Sequence, residues 1–125
     1  MATQAFNARK TLEGDVVKHE YADKAFTREL RSVTVTATTA VGTVLAGAAA
    51  VTVATTANAD GIVVDTSVYE KRLVPGTYTL AVLVRGPAIV GDLNLTYGAD
   101  IDTTAEIAAV AAVLKAKNIL VGNQL

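Results

Sequence analysis

Between Ser32 and Ala59 the chain carries no charged side chain, although charge is dense on the N-terminal side of that stretch. An uncharged segment of this length is either a membrane span or part of a folded core. A spanning helix needs about 20 consecutive, mainly apolar residues. Here the longest run free of Thr is Val44–Val51, and Gly47 interrupts it. Thr34, Thr36, Thr38, Thr39, Thr43, Thr52, Thr55 and Thr56 punctuate the remainder. Thr and Val carry branched Cβ atoms that favour extended backbone. The stretch therefore predicts strands rather than a transmembrane segment. No basic region followed by an apolar run opens the sequence, so no signal peptide is expected.

The same segregation suggests the domain organisation. Residues 1–31 hold 11 of the 23 charged side chains, from Arg9 to Arg31, and the other 12 are scattered over 60–117. The expectation is a polar N-terminal arm, 1–31, followed by a compact apolar domain, 32–125. A chain of 125 residues with 51% hydrophobic side chains is one domain with a core of its own. Eleven basic against twelve acidic residues leave a net charge of −1, which gives no electrostatic footprint for nucleic acid or for an anionic membrane surface. Cys is absent, which removes disulfides, thiolate metal sites and thiol nucleophiles. One His and two Ser are little material for an active site. Composition points to a structural or binding role, with no cofactor and no metal.

The coarse secondary structure is mainly β. Val33-Thr34-Val35-Thr36 alternates with the period of a half-buried strand. Further strands are expected at Val41–Leu45, Ala50–Val53, Ile62–Val64, Tyr69–Val74, Thr77–Val84, Ala88–Val90, the alternating Leu93, Leu95 and Tyr97, and Ile119–Val121. Turns fall at Asn58-Ala59-Asp60-Gly61, with Gly61 free to take positive φ, and at Pro75-Gly76, Gly86-Pro87 and Gly91-Asp92. Near the C-terminus, Thr103-x-x-Glu106 is a capping-box pattern. Ile107, Val110, Ala111 and Leu114 then form one apolar stripe. Lys115 and Lys117 suit the negative end of that helix, and Asn118 suits its left-handed stop. The fold class is mainly β (α+β): a small sandwich- or barrel-like domain with one C-terminal helix and an extended N-terminal arm.

Candidate chemistry is sparse. His19 lies between Lys18 and Glu20 with no second His; a Ser-His-acid set would need Ser32 or Ser67 to reach it. Asp100, Asp102 and Glu106 cluster around the start of the helix, where acidic residues favour the helix N-terminus without any ligand. Asp60-Gly61 resembles a fragment of a calcium loop but lacks the other ligands, so it is a turn. Arg85-Gly86-Pro87 ends a very apolar strand, and Arg85 is either a binding anchor or the strand's exit into solvent. Phe6, Tyr21 and Phe26 are half of the six aromatic residues, yet they lie in the charged arm. Aromatics in a solvated arm are useful where the arm docks on something.

Taken in order, Gly14-Asp15-Val16-Val17-Lys18, Gly42-Thr43-Val44-Leu45-Ala46, Asp60-Gly61-Ile62-Val63-Val64 and the run Ala81 to Val90 resemble the head decoration proteins of tailed bacteriophages, the lambda D-like family. The Ala-rich helix at 104–117 and Asn118-Ile119-Leu120-Val121 fit the same order, and the resemblance spans roughly residues 11–122. It implies a β-rich domain that assembles as homotrimers on the outer surface of the expanded capsid, with an N-terminal segment that becomes ordered against the major capsid protein. On that basis Asp15, Val16, Val17, Lys18, Tyr21 and Phe26 are the expected capsid-binding residues, and Arg85, Gly86 and Pro87 the expected trimer or capsid contacts. Val16, Val17, Tyr21 and Phe26 are expected to supply the apolar burial that offsets ordering of the arm, about 1–2 kcal/mol per backbone residue. Deleting 1–31 is expected to leave a folded domain that no longer decorates capsids. Two other classes fit less of the chain: a phage fibre or adhesion module that binds a receptor or glycan, and a hydrolase built on Asp100, Asp102 and Glu106.

Overall fold

A computed structural model describes residues 16–20, 24–70, 73–91 and 95–122. In chain order its strands and helices are β1 (Val17–Glu20), α1 (Lys24–Thr27), β2 (Arg28–Val35), β3 (Val44–Ala46) and β4 (Ala49–Ala50). A 3-10 turn over Val53–Asn58 follows, then β5 (Gly61–Val63), α2 (Ser67–Glu70), β6 (Gly76–Leu83), β7 (Ala88–Gly91), α3 (Thr104–Lys115) and β8 (Ile119–Gly122). The strands form two sheets, one of three strands in the order β1-β7-β8 and one of five in the order β2-β6-β5-β3-β4. The protein is thus mainly β, in two layers, with a C-terminal helix.

The alternation of apolar residues places one core on each face of the five-stranded sheet. Val44, Ile62 and Leu83 point towards the three-stranded sheet, where they meet Val90, Ile119 and the inward residues Val110 and Leu114 of α3. Leu45, Val63, Leu80 and Val82 point the other way and pack with Val33 and Val35 of β2. Each such side chain removed from water is worth about 1.5–3 kcal/mol. The five-stranded sheet also curls: Thr34 N–H donates to the carbonyl of Ala48 (2.8 Å), which brings the outer strand β2 against the β3–β4 turn at the far side of the sheet. β7 and β8 run parallel, Ala88 beside Ile119 through Gly91 beside Gly122, with α3 as the crossover between them.

Several expectations are corrected by this arrangement. The boundary between arm and domain at 31/32 falls inside β2, which pairs with β6 from Arg28 opposite Leu83 onwards. Upstream of it, Val17–Glu20 is a strand of the second sheet, and Val16 is 0% exposed in the first core. Charge density does not mark a boundary here, because Glu20 and Arg28 pair with each other between two strands and Arg31 pairs with Asp60 before β5. Where a strand was expected at Ala50–Val53, only Ala49–Ala50 pairs. Thr52 N–H donates to Thr55 Oγ1 (2.8 Å), and the chain winds into the 3-10 turn. The helical turn α2, Ser67–Glu70, takes the first two residues of the expected strand Tyr69–Val74, whose Lys71 and Arg72 lie outside the described residues; it is started by Asp65, whose carboxylate accepts from Ser67 N–H (3.0 Å). Gly61 has no positive φ; it is glycine because an added Cβ would lie 2.5 Å from Val82 Cγ1. Of the Leu93–Tyr97 alternation, Leu93 and Asn94 lie outside the described residues, while Leu95 is buried and Thr96 bridges to Thr43.

Candidate docking surface

Phe26, Ile89 and Leu120 are exposed large apolar side chains, as are Leu30, Val53 and Val74. Thr27, the last residue of α1, offers its carbonyl to the N–H groups of both Val84 (2.8 Å) and Arg85 (3.3 Å), so the start of β2 is fixed against the end of β6. That brings Phe26 and Arg85 together across 59 residues of sequence. The Arg85 guanidinium carbon stands 5.2 Å from the Phe26 ring centroid, and its Nη1 donates to the Phe26 carbonyl. The ring nevertheless stays 51% exposed. A cation over an exposed ring contributes about 0.5–1 kcal/mol, enough to orient the ring without hiding it.

Gly86 and Pro87 continue this corner. The Gly86-Pro87 peptide is cis. Gly86 N–H donates to the Lys117 carbonyl (2.8 Å) and Ala88 N–H to the Asn118 carbonyl (3.1 Å), which ties the corner to the end of α3. Backbone approaches so closely that a Cβ on Gly86 would lie 1.8 Å from the Asn118 oxygen. Asn118 itself takes φ 63°, the left-handed stop its sequence position suggests. Beyond Pro87, Ile89 of β7 and Leu120 of β8 are register partners on the outer face of the sheet, 40% and 46% exposed. Pro87, Ile89 and Leu120 share one shallow hollow. Ile89 and Leu120 also border a second, whose far wall is Ala108, Ala111, Ala112 and Lys115 of α3. Pro87, Ile89, Leu120 and the facing side of α3 thus form one apolar strip bordered by Lys115, and the Phe26–Arg85 stack stands two residues before Pro87.

The expected site residues separate into three groups. Phe26 and Arg85 are exposed and in contact, Pro87 is exposed two residues after Arg85, and Gly86 between them is buried and acts through backbone geometry alone. Lys18 is exposed on β1. Val16 is fully buried, so its apolar surface is already covered inside the chain and cannot supply burial to a partner, whereas Val17 is half-buried against the same core. Asp15 and Tyr21 lie outside the described residues. Ile89 and Leu120 were not singled out in the sequence, where Ala88-Ile89-Val90 and Ile119-Leu120-Val121 are short apolar runs that do not reveal which member faces outwards.

The carboxylates of the hydrolase reading have local roles. Asp100 accepts from Val53 N–H (3.2 and 3.3 Å to its two oxygens), tying the 3-10 turn to the segment before α3. Glu106 closes the capping box: Glu106 N–H donates to Thr103 Oγ1 (3.2 Å), and the Glu106 carboxylate accepts from the N–H groups of Thr103 (3.1 Å) and Asp102 (3.0 Å). Those two donors hold its carboxyl below the ordinary range. Among the described residues no group of three His, Cys, Asp or Glu side chains is placed to hold a metal ion, and no helix is long and apolar enough to cross a membrane. Compared with known proteins, the chain matches no family, no curated protein and no solved structure.

Proposed function

We propose that this chain is a structural protein of a bacteriophage virion: it binds the outside of the expanded head as homotrimers and bridges neighbouring major capsid subunits, so that the shell resists internal DNA pressure. The observation that carries this reading is the exposed Phe26 ring under Arg85, two residues before the exposed hollow of Pro87, Ile89 and Leu120. Aromatic and Arg side chains beside exposed apolar surface are among the groups that dominate protein interfaces. A clamp of this kind needs surface and rigidity but no reaction, in keeping with the lack of Cys and the single His. Three such surfaces on one trimer reinforce each other, because docking of the first raises the effective concentration of the others. Residues 1–15 are proposed to run onto the capsid and add a strand to an exposed sheet edge.

Co-sedimentation of the purified protein with expanded capsids stripped of decoration tests the proposal. Saturation near one copy per major capsid subunit, with shells that then survive higher temperature, is the expected result. Saturation at far fewer copies favours a fibre or vertex protein, and absence of binding to expanded shells overturns the reading.

A further inference from the structure

We infer that the Glu20–Arg28 ion pair is a clasp that positions the Phe26–Arg85 corner, so that Glu20 and Arg28 govern docking without touching the partner. Its meaning for docking rests on the proposed function, but the clasp itself is read from geometry. β1 ends at Glu20 in one sheet and β2 begins at Arg28 in the other. Arg28 grips the Glu20 carboxylate with its fork, Nε to Oε2 at 2.9 Å and Nη2 to Oε1 at 2.7 Å. Thr27 Oγ1 donates to Oε2 as well, at 2.6 Å. The Glu20 side chain is 5% exposed and that of Arg28 15%.

A bidentate guanidinium–carboxylate pair fixes direction as well as distance, which apolar packing does not. In so buried a setting, removal of either partner takes a two-bond, charge-assisted contact from the other, so the arrangement is held tightly once made. Thr27 carries that constraint to the corner. Its hydroxyl is held by Glu20, and its carbonyl holds the N–H groups of Val84 and Arg85. Arg85 in turn reaches back to the carbonyl and ring of Phe26, the residue before Thr27. The path Glu20, Thr27, Arg85, Phe26 is a closed loop of contacts that joins the two sheets. Glu20 is also the register partner of Ala88, one residue past Pro87, so the same clasp adjoins the apolar strip.

The chain has no Trp, so Phe26→Trp installs a single fluorescent reporter at the corner. In that background Glu20→Gln is expected to shift Trp emission to the red and to raise acrylamide quenching, in the direction and towards the size produced by Arg85→Met. Thr27→Val keeps the ion pair and removes only the hydroxyl bond. It is expected to give a smaller change of the same sign, and it carries the test if Glu20→Gln fails to fold. A reporter that answers to Arg85→Met but not to the Glu20 or Thr27 variants, with native circular dichroism, overturns the clasp; so does a reporter that answers to none of them. Variants that move the Trp signal yet bind expanded shells undiminished leave the clasp standing and remove the Phe26 corner from docking instead.

Discussion

Arg31 and Asp60 form a 2.8 Å ion pair across 29 residues of sequence, at one end of the core between β2 and the rest of the five-stranded sheet. Arg31 Nη1 also donates to the Gly47 carbonyl (3.2 Å), and Asp60 Oδ1 accepts from Gly47 N–H (3.1 Å). One side chain from the charged N-terminal third thus gathers β2, the β3–β4 turn and the approach to β5. Asp60→Ala removes one of the two carboxylates that the largely buried Arg31 guanidinium meets, Glu29 being the other (3.0 Å), and takes the acceptor from the Gly47 N–H. The expected loss is about 1–3 kcal/mol, since bonds to charged groups are worth roughly twice neutral ones. Thermal unfolding followed by circular dichroism measures it, with Arg31→Lys expected to recover only part of the loss because Lys has no fork.

Truncation separates the arm from the fold. Removal of residues 1–15 leaves Val16, β1 and β2 in place, so cooperative unfolding is expected to persist while binding to expanded shells weakens. Removal of 1–31 takes Val16 out of the first core, β1 out of the three-stranded sheet and half of β2 away from β6. That shorter chain is expected to lose its cooperative transition, because each buried apolar side chain lost leaves an unfilled space as well as lost transfer energy. Calorimetry on the two truncations distinguishes the outcomes.

The Gly86–Asn118 contact is sensitive from both sides. Gly86→Ala places a Cβ against the Asn118 carbonyl, where the nearest atoms are all backbone. Overpacking of this kind costs about 1–3 kcal/mol, and the displacement is expected to loosen Arg85 from Phe26 as well. Asn118→Gly is expected to leave stability nearly unchanged, whereas Asn118→Val, at φ 63°, costs about 1–2 kcal/mol. Denaturant midpoints for the three variants rank them.

Elements whose cause is local were legible in the sequence. The capping box at Thr103 and the stripe through Val110 and Leu114 lie within a dozen residues, and α3 begins and packs as they indicate. Thr77–Val84 likewise contains most of β6. What was not legible depends on partners far along the chain. Val17–Glu20 reads as arm until Val90 and Ala88 are beside it, and Arg31 reads as solvated until Asp60 accepts from it. The same holds for the surface. Phe26 and Arg85 each stood out by residue type, but their stack depends on the Thr27 carbonyl, and the Ile89–Leu120 pair depends on the parallel register of β7 and β8.

Acid is expected to fray α3. The N–H groups of Asp102 and Thr103 favour ionised Glu106, which lowers its carboxyl from the ordinary value of 4.5. A carboxylate whose folded value is depressed contributes stability that is fully present above its unfolded value and lost as pH falls through the folded one. The contribution should therefore hold above about pH 4.5 and fade below it. Protection factors for amide exchange at Glu106 and Ile107, corrected for the intrinsic pH dependence of exchange, are expected to fall on acidification in the native chain, and Glu106→Gln is expected to flatten that dependence. Unchanged acid sensitivity in the variant would assign the fraying to another group.

The docking strip makes the last prediction quantitative. Phe26 is 51% exposed and Leu120 46%, so Phe26→Ala and Leu120→Asp remove little from the folded core, and melting temperatures are expected to stay close to that of the parent. Truncating a central aromatic anchor commonly costs an interface about 2 kcal/mol or more, which is over tenfold in affinity. If three copies dock together, the loss recurs at each site, and the apparent affinity of the assembly falls more steeply than that of one arm. Titration onto stripped, expanded shells should show the steep loss for Phe26→Ala, while a monomeric chain would show only the single-site step. Leu120→Asp places a charge in the apolar middle of the strip and is expected to match or exceed that loss, because an unpaired charge must be desolvated on docking. Full binding by both variants would place the contact on another face, with the N-terminal residues as the next surface to test.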